Sequence, residues 1–170
     1  MLKREPTKRE ILLVVLTRRP WLTPFIYEIH GLGGATIGEL RESLSIRTPI
    51  IKRALWWLQK YGIINKSGDK YVIEQDYRPL VDELKLQLCR HNREYVLKLG
   101  ATYFVIILRR TRITSYSVPE ELINRLEELI TNAGGAEFTP KDLADALSIP
   151  YKLASRVVKT YRLLKECSSI

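Results

Sequence analysis

A chain of 170 residues, 45% of them hydrophobic, is long enough to bury a sizeable core, and its formal charge of +9 directs attention to an acidic partner. Its longest apolar runs, Ile11 to Leu16 and Tyr103 to Leu108, fall far short of the roughly 20 residues of a membrane span, so no membrane partner is expected. The basic N-terminus precedes an apolar stretch too short for a signal peptide, so a cytoplasmic, nucleoid-associated protein is expected.

Thr7-x-x-Glu10 is a capping box that starts a helix predicted from Lys8 to about Arg18. Thr23-Pro24 opens a second helix, ended by Gly31-Leu32-Gly33-Gly34. That glycine run lacks the Lys-Ser/Thr of a phosphate-binding loop and the GxGxxG spacing, so it is read as a connector.

Thr36-x-x-Glu39 caps a short helix carrying Leu40 and Leu44, which breaks at Ser45-Ile46-Arg47. Thr48-Pro49 then supplies a cap and a first-turn proline for a helix running to about Tyr61, where Gly62 stops it. At 100° per residue, Ile51, Ala54, Leu55, Leu58 and Tyr61 form a core stripe, while Lys52, Arg53, Trp56 and Lys60 point the other way. Trp56 is expected to be exposed, and Trp57, about 95° from the centre of the core stripe, to flank Ile50. Two β-prone runs from Ile63 to Ile73 around Ser67-Gly68-Asp69 predict a hairpin with Lys66 and Lys70 near its tip.

From Pro79 to Lys98, Leu80, Leu84, Leu88, Tyr95 and Leu99 recur at near-heptad spacing before Gly100, which predicts a long connecting helix able to pair with a second chain. Tyr103 to Leu108 is an apolar strand, followed by Arg109, Arg110 and Arg112. Such a strand must be buried in a sheet or paired across a dimer. Ser117-x-x-Glu120 is expected to cap a helix from Val118 to Thr131.

The chain then repeats itself. At an offset of 103 residues Thr36 meets Thr139, Leu40 meets Leu143, Leu44 meets Leu147, Ser45 meets Ser148, Ile46 meets Ile149 and Arg53 meets Arg156. The second copy therefore reads as a capped helix, a turn at Ser148-Ile149-Pro150, and a helix over 150–165 with Lys152, Ser155, Arg156 and Lys159 opposite Ala154, Val158 and Tyr161. The stretches Arg47 to Lys60 and Tyr151 to Lys165 contain no acid.

The segment LSIRTPIIKRALWWLQKYGII resembles the turn, recognition helix and first wing strand of winged helix-turn-helix proteins, and LSIPYKLASRVVKTYRLLKEC resembles a second, less complete unit. The whole is similar to tandem winged helix-turn-helix DNA-binding proteins of the archaeal transcription-regulator type. The second copy has Lys165 where the post-helix glycine belongs, and its wing is missing. Strand followed by SVPEELINRLEELI also resembles a ribbon-helix-helix unit.

The expected fold is mainly α with small β wings: two winged helix-turn-helix units joined by a long helix and a β-strand segment. The domains are 1–76, a connecting and dimerising region 77–116, and 117–170. The resemblance implies a homodimeric double-stranded DNA-binding transcription regulator. Its DNA-binding residues would be Arg47, Thr48, Lys52, Arg53, Trp56, Lys60, Lys66 and Lys70, with Tyr151, Lys152, Ser155, Arg156 and Lys159 from the second helix. The rival readings are a protein-interaction adaptor built on tandem winged helices and a plasmid or viral replication or segregation factor. With two cysteines, no CxxC and two histidines, no metal, cofactor or catalytic arrangement is expected. Cys89 and His91, taken as helical, would face different directions. A single Met, three Gln and four Asn point to a thermophilic source.

Overall fold

The computed structural model describes residues 4–169, the last two by their backbone alone. The chain is mainly helical with two small sheets. It divides into two compact units: the described residues up to Gln87 together with Ile106–Thr114, and Leu88–Val105 together with the described residues from Ser115 onward.

The first unit begins with α1, Lys8–Arg18, whose start is fixed by the Thr7 hydroxyl accepting from the Glu10 amide at 3.1 Å. After a single 3-10 turn comes α2, Thr23–Leu32, closed by Gly33 in the left-handed conformation. Gly34 follows with φ 123°, and a Cβ there would stand 2.9 Å from Val72 Cγ1, so the close approach of the chain to the later hairpin requires glycine. The next helix, α3, spans Ile37–Leu44 and carries the complete Thr36–Glu39 capping box.

Ser45 turns the chain into α4, Thr48–Lys60. Ile51, Ala54, Leu55 and Leu58 are buried as their 3.6-residue spacing requires, whereas Tyr61 is only half-buried. The cap position of α4 is Arg47, one residue earlier than Thr48, and no side chain caps it. β1, Ile64–Ser67, and β2, Lys70–Ile73, form an antiparallel hairpin whose register pairs Ser67 with Lys70 and leaves Gly68-Asp69 as a two-residue loop.

The expected long helix from Pro79 to Lys98 does not form. A short helix, α5, covers Arg78–Lys85, and the chain then builds an antiparallel meander: β3, Leu88–His91; β4, Glu94–Leu99; β5, Thr102–Arg109; β6, Arg112–Pro119. Each connection is two residues long, and Asn92 and Gly100 hold the positive φ, 54° and 59°, that such tight loops favour. Tyr95, Val96 and Leu97 are consecutively buried, a pattern a one-faced helix cannot produce. Cys89 and His91 consequently lie two apart on a strand, where such residues share a face, instead of diverging around a helix.

The apolar strand β5 lies between β6 and β4 in a five-stranded sheet of order β6-β5-β4-β3-β7, where β7 is Ser168–Ser169. The expected leucine-lined helix is therefore absent, and the apolar strand finds both its neighbours within one chain. β6 runs through Ser117 to Pro119, and α6 occupies Glu120–Asn132. The Glu120 amide donates to the Ala101 carbonyl at 2.9 Å, which keeps Ser117 in the strand and replaces the expected Ser117 cap.

The second copy follows as α7, Pro140–Leu147, and α8, Tyr151–Glu166, with the Thr139–Asp142 capping box complete. Val118, Ile123, Leu126, Leu143, Ala154, Val157 and Val158 form one hydrophobic core cluster of this unit. Cys89 and Cys167, which sequence spacing leaves unconnected, are joined in a disulfide across a separation of 78 residues, with Cα atoms 5.6 Å apart. No described helix is long and apolar enough to cross a membrane.

Candidate functional site

The outward face of α4 carries a dense, uncompensated positive charge. Arg47, Lys52, Arg53, Trp56 and Lys60 are exposed on it, and Thr48 is half-buried at its start. Among the described residues, none of Arg47, Lys52 and Arg53 has a carboxylate within 4.0 Å. The first turn of α4 also lacks an acid, so nothing in its own sequence offsets the positive end of the helix. Proline in that turn costs no hydrogen bond, and the apolar stripe opposite holds the face outward.

At the far end of the helix, aromatic rings and cations stack. The Arg19 guanidinium lies 3.5 Å from the centroid of the Trp57 ring and donates to the Tyr61 hydroxyl at 3.1 Å, while Trp57 stacks on Tyr61 at 5.8 Å and 19°. Trp57 is thus held by both a cation and a stacked ring. Trp56 meets it edge-on at 4.8 Å but remains 54% exposed, with Lys60 Nζ 4.8 Å from its ring.

Lys66 and Lys70 are exposed on the β1–β2 hairpin. Lys66 Nζ lies 5.7 Å over the Tyr71 ring, and Lys70 Nζ stands 4.0 Å from Glu39 Oε1.

No protein-family model matches this chain, and no curated protein or solved structure matches it significantly.

The second helix differs from the first in what covers its basic face. Tyr151 and Lys152 are exposed on α8, but Ser155, Arg156 and Lys159 are half-buried. Lys159 Nζ is 3.9 Å from Glu94 Oε1 on β4, and the Arg156 guanidinium sits 5.3 Å over the ring of Tyr116 on β6. Burial pushes the Tyr116 phenol above its ordinary pKa. The five residues border a depression of about 340 Å³ shared with Tyr116. Strands of its own unit therefore engage part of the face that the sequence repeat marks as free.

Residues outside the sequence-derived set complete the basic surface of the first unit. The turn between β5 and β6 docks beside α4, the Arg47 amide donating to the Arg110 carbonyl at 3.0 Å. Arg41 of α3, Arg47 and Arg110 line one cleft of about 620 Å³, with Ser45, Ile46, Thr48 and Pro49. A second, of about 300 Å³, is lined by Trp21, Ile50, Arg53, Thr111, Arg112 and Ile113. The run Arg109-Arg110-Thr111-Arg112 is conspicuous in the sequence, but only the fold assigns it to the α4 surface. Among the described residues no group of three or more His, Cys, Asp or Glu side chains could hold a metal ion.

Proposed function

We propose that the protein binds double-stranded DNA, laying α4 in the major groove and the β1–β2 hairpin against the neighbouring backbone, as a winged helix-turn-helix transcription regulator does. The carrying observation is the face of α4: Arg47, Lys52, Arg53 and Lys60 without an acid among them, opposite a stripe of buried Ile51, Ala54, Leu55 and Leu58. Cations concentrated on one outward helix face repel one another until a polyanion neutralises them. A helix about 10 Å across fits the major groove, where Arg53 and its neighbours reach phosphates and base edges.

In this reading α4 is the principal contact. The α8 face contributes less, because Lys159 and Arg156 are engaged within their own unit. Lys66 and Lys70 serve as phosphate contacts from the hairpin.

The test is duplex binding across a salt series. Each phosphate neutralised contributes about −0.9 to the slope of log K against log salt, so several contacts give a steep dependence. Arg53→Ala should weaken binding and leave the melting temperature nearly unchanged. A flat salt response, or no binding at low salt, would turn the reading toward a protein-interaction adaptor.

A further inference from the structure

We propose that the β5–β6 turn is an additional DNA-contacting arm, and that Arg110 joins Arg41 and Arg47 to grip a backbone phosphate beside the start of α4. The inference rests on the duplex-binding reading and extends it to residues that lie outside the helix-turn-helix and its hairpin.

Arg41, Arg47 and Arg110 come from α3, the residue capping α4, and the turn after β5, and converge on one cleft. No described carboxylate lies within 4.0 Å of any of them. Three arginines lining one cleft concentrate positive charge there, and the positive end of α4 adds to that field. An anion relieves both, and a phosphate matches the fork of guanidinium donors. The opening, about 620 Å³, is wider than an enclosing pocket for a single small anion needs, which suits a phosphate carried on a polymer. Arg112 of β6 and Arg53 of α4 both line a second cleft, so the positive surface continues onto the helix proposed to enter the groove.

The main-chain bond from the Arg47 amide to the Arg110 carbonyl fixes the turn independently of its side chain. Truncating Arg110 therefore removes a charge without releasing the arm.

The experiment is fluorescence anisotropy of the full chain with a labelled random-sequence duplex over a potassium chloride series. It compares the unsubstituted protein with Arg110→Ala, Arg41→Ala and the charge-matched control Arg125→Ala, an exposed position on α6. Arg110→Ala and Arg41→Ala should each make the salt slope shallower, by at most about 0.9 since the arginines share one phosphate, and weaken binding at 0.1 M salt by up to about eightfold, with melting temperatures unchanged. Arg125→Ala should leave the slope as it was. If the unsubstituted protein binds with a steep slope that both cleft variants retain, the phosphate grip is wrong while the function stands. If the unsubstituted protein fails to bind duplex, both are wrong. If Arg110→Ala unfolds the protein, Arg41→Ala alone decides.

Discussion

Ser45 and Ser148 stand 103 residues apart and hold the same left-handed backbone, φ 50° and 53°, each between a capped short helix and a longer basic one. A non-glycine residue there costs roughly 1–2 kcal/mol relative to right-handed backbone. Ser148→Gly should thus gain up to about 1 kcal/mol, net of the entropy glycine loses on folding. Ser148→Val should lose at least that much, since β-branched residues are outliers at positive φ. Thermal melts of both variants check it. Stability that rises with valine would mean the turn is not left-handed.

Trp56 and Trp57 are neighbours in sequence with opposite environments. Acrylamide should quench the unsubstituted protein's emission mainly through Trp56, and Trp56→Phe should remove both that quenching and any change caused by duplex. Trp57→Phe should keep the duplex response but lower stability by about 1 kcal/mol, because the Arg19 cation and the Tyr61 ring each lose contact with the larger indole. A duplex response carried by Trp57 alone would place the interface elsewhere on α4.

Reduction of the Cys89–Cys167 bond should lower the melting temperature. The cross-link spans 78 residues, for which the chain-entropy relation gives a ceiling of about 4.5 kcal/mol. Cys89→Ser should melt like the reduced protein and no longer respond to reductant. A melting temperature indifferent to reductant would mean that the bond is not formed in solution.

Acid should destabilise the fold through identifiable pairs. The hydrogen bond from His30, at 2.7 Å, holds the Asp82 carboxyl below its ordinary pKa, and the Arg9 hydrogen bonds do the same for Glu83. In the Asp142 capping box the Thr139 amide has the same effect. A carboxyl depressed in the folded state contributes stability that is complete above its unfolded pKa, about 4, and is lost as pH falls through the lower folded value. Melting temperature should accordingly drop below about pH 4, and Glu83→Gln should show a shallower decline. An identical acid profile in that variant would remove the Arg9 pair from the explanation.

With β5 paired on both sides and Leu80, Leu84, Leu88 and Leu99 divided between a short helix and two strands, the free protein should run as a single chain in light scattering. Twice that mass, persisting on dilution, would restore the homodimer and require another surface for it.

Where structure is local, the sequence was legible. Both capping boxes, the α1 bounds, the α4 core stripe and the β1–β2 hairpin follow from spacings of three or four residues and from turn chemistry. The meander was not legible, because Leu80, Leu84, Leu88, Tyr95 and Leu99 mimic a heptad that runs over the turn signal at Asn92 and makes Gly100 read as a helix stop. At the candidate site, the helical positions could be read off the period of α4. The docking of Arg110 against Arg47 could not, since it joins residues that no local rule relates. Nor could the repeat foretell that Glu94 and Tyr116 would occupy the face of α8, because those strands have no counterpart at the same place in the first copy.

The first unit draws on Ile106–Thr114, a segment that lies beyond the opening strands of the second. Synthesis runs from the N-terminus at roughly 5–20 residues per second, so the ribosome delivers α1 to α5 and then part of the neighbouring unit before the missing piece of the first emerges. Until then the amide of Arg47 has only water to bond, and the cleft beside α4 has two of its three arginines. The helical face is thus made early in translation, whereas the arm beside it arrives only once the nascent chain is committed to building both units together.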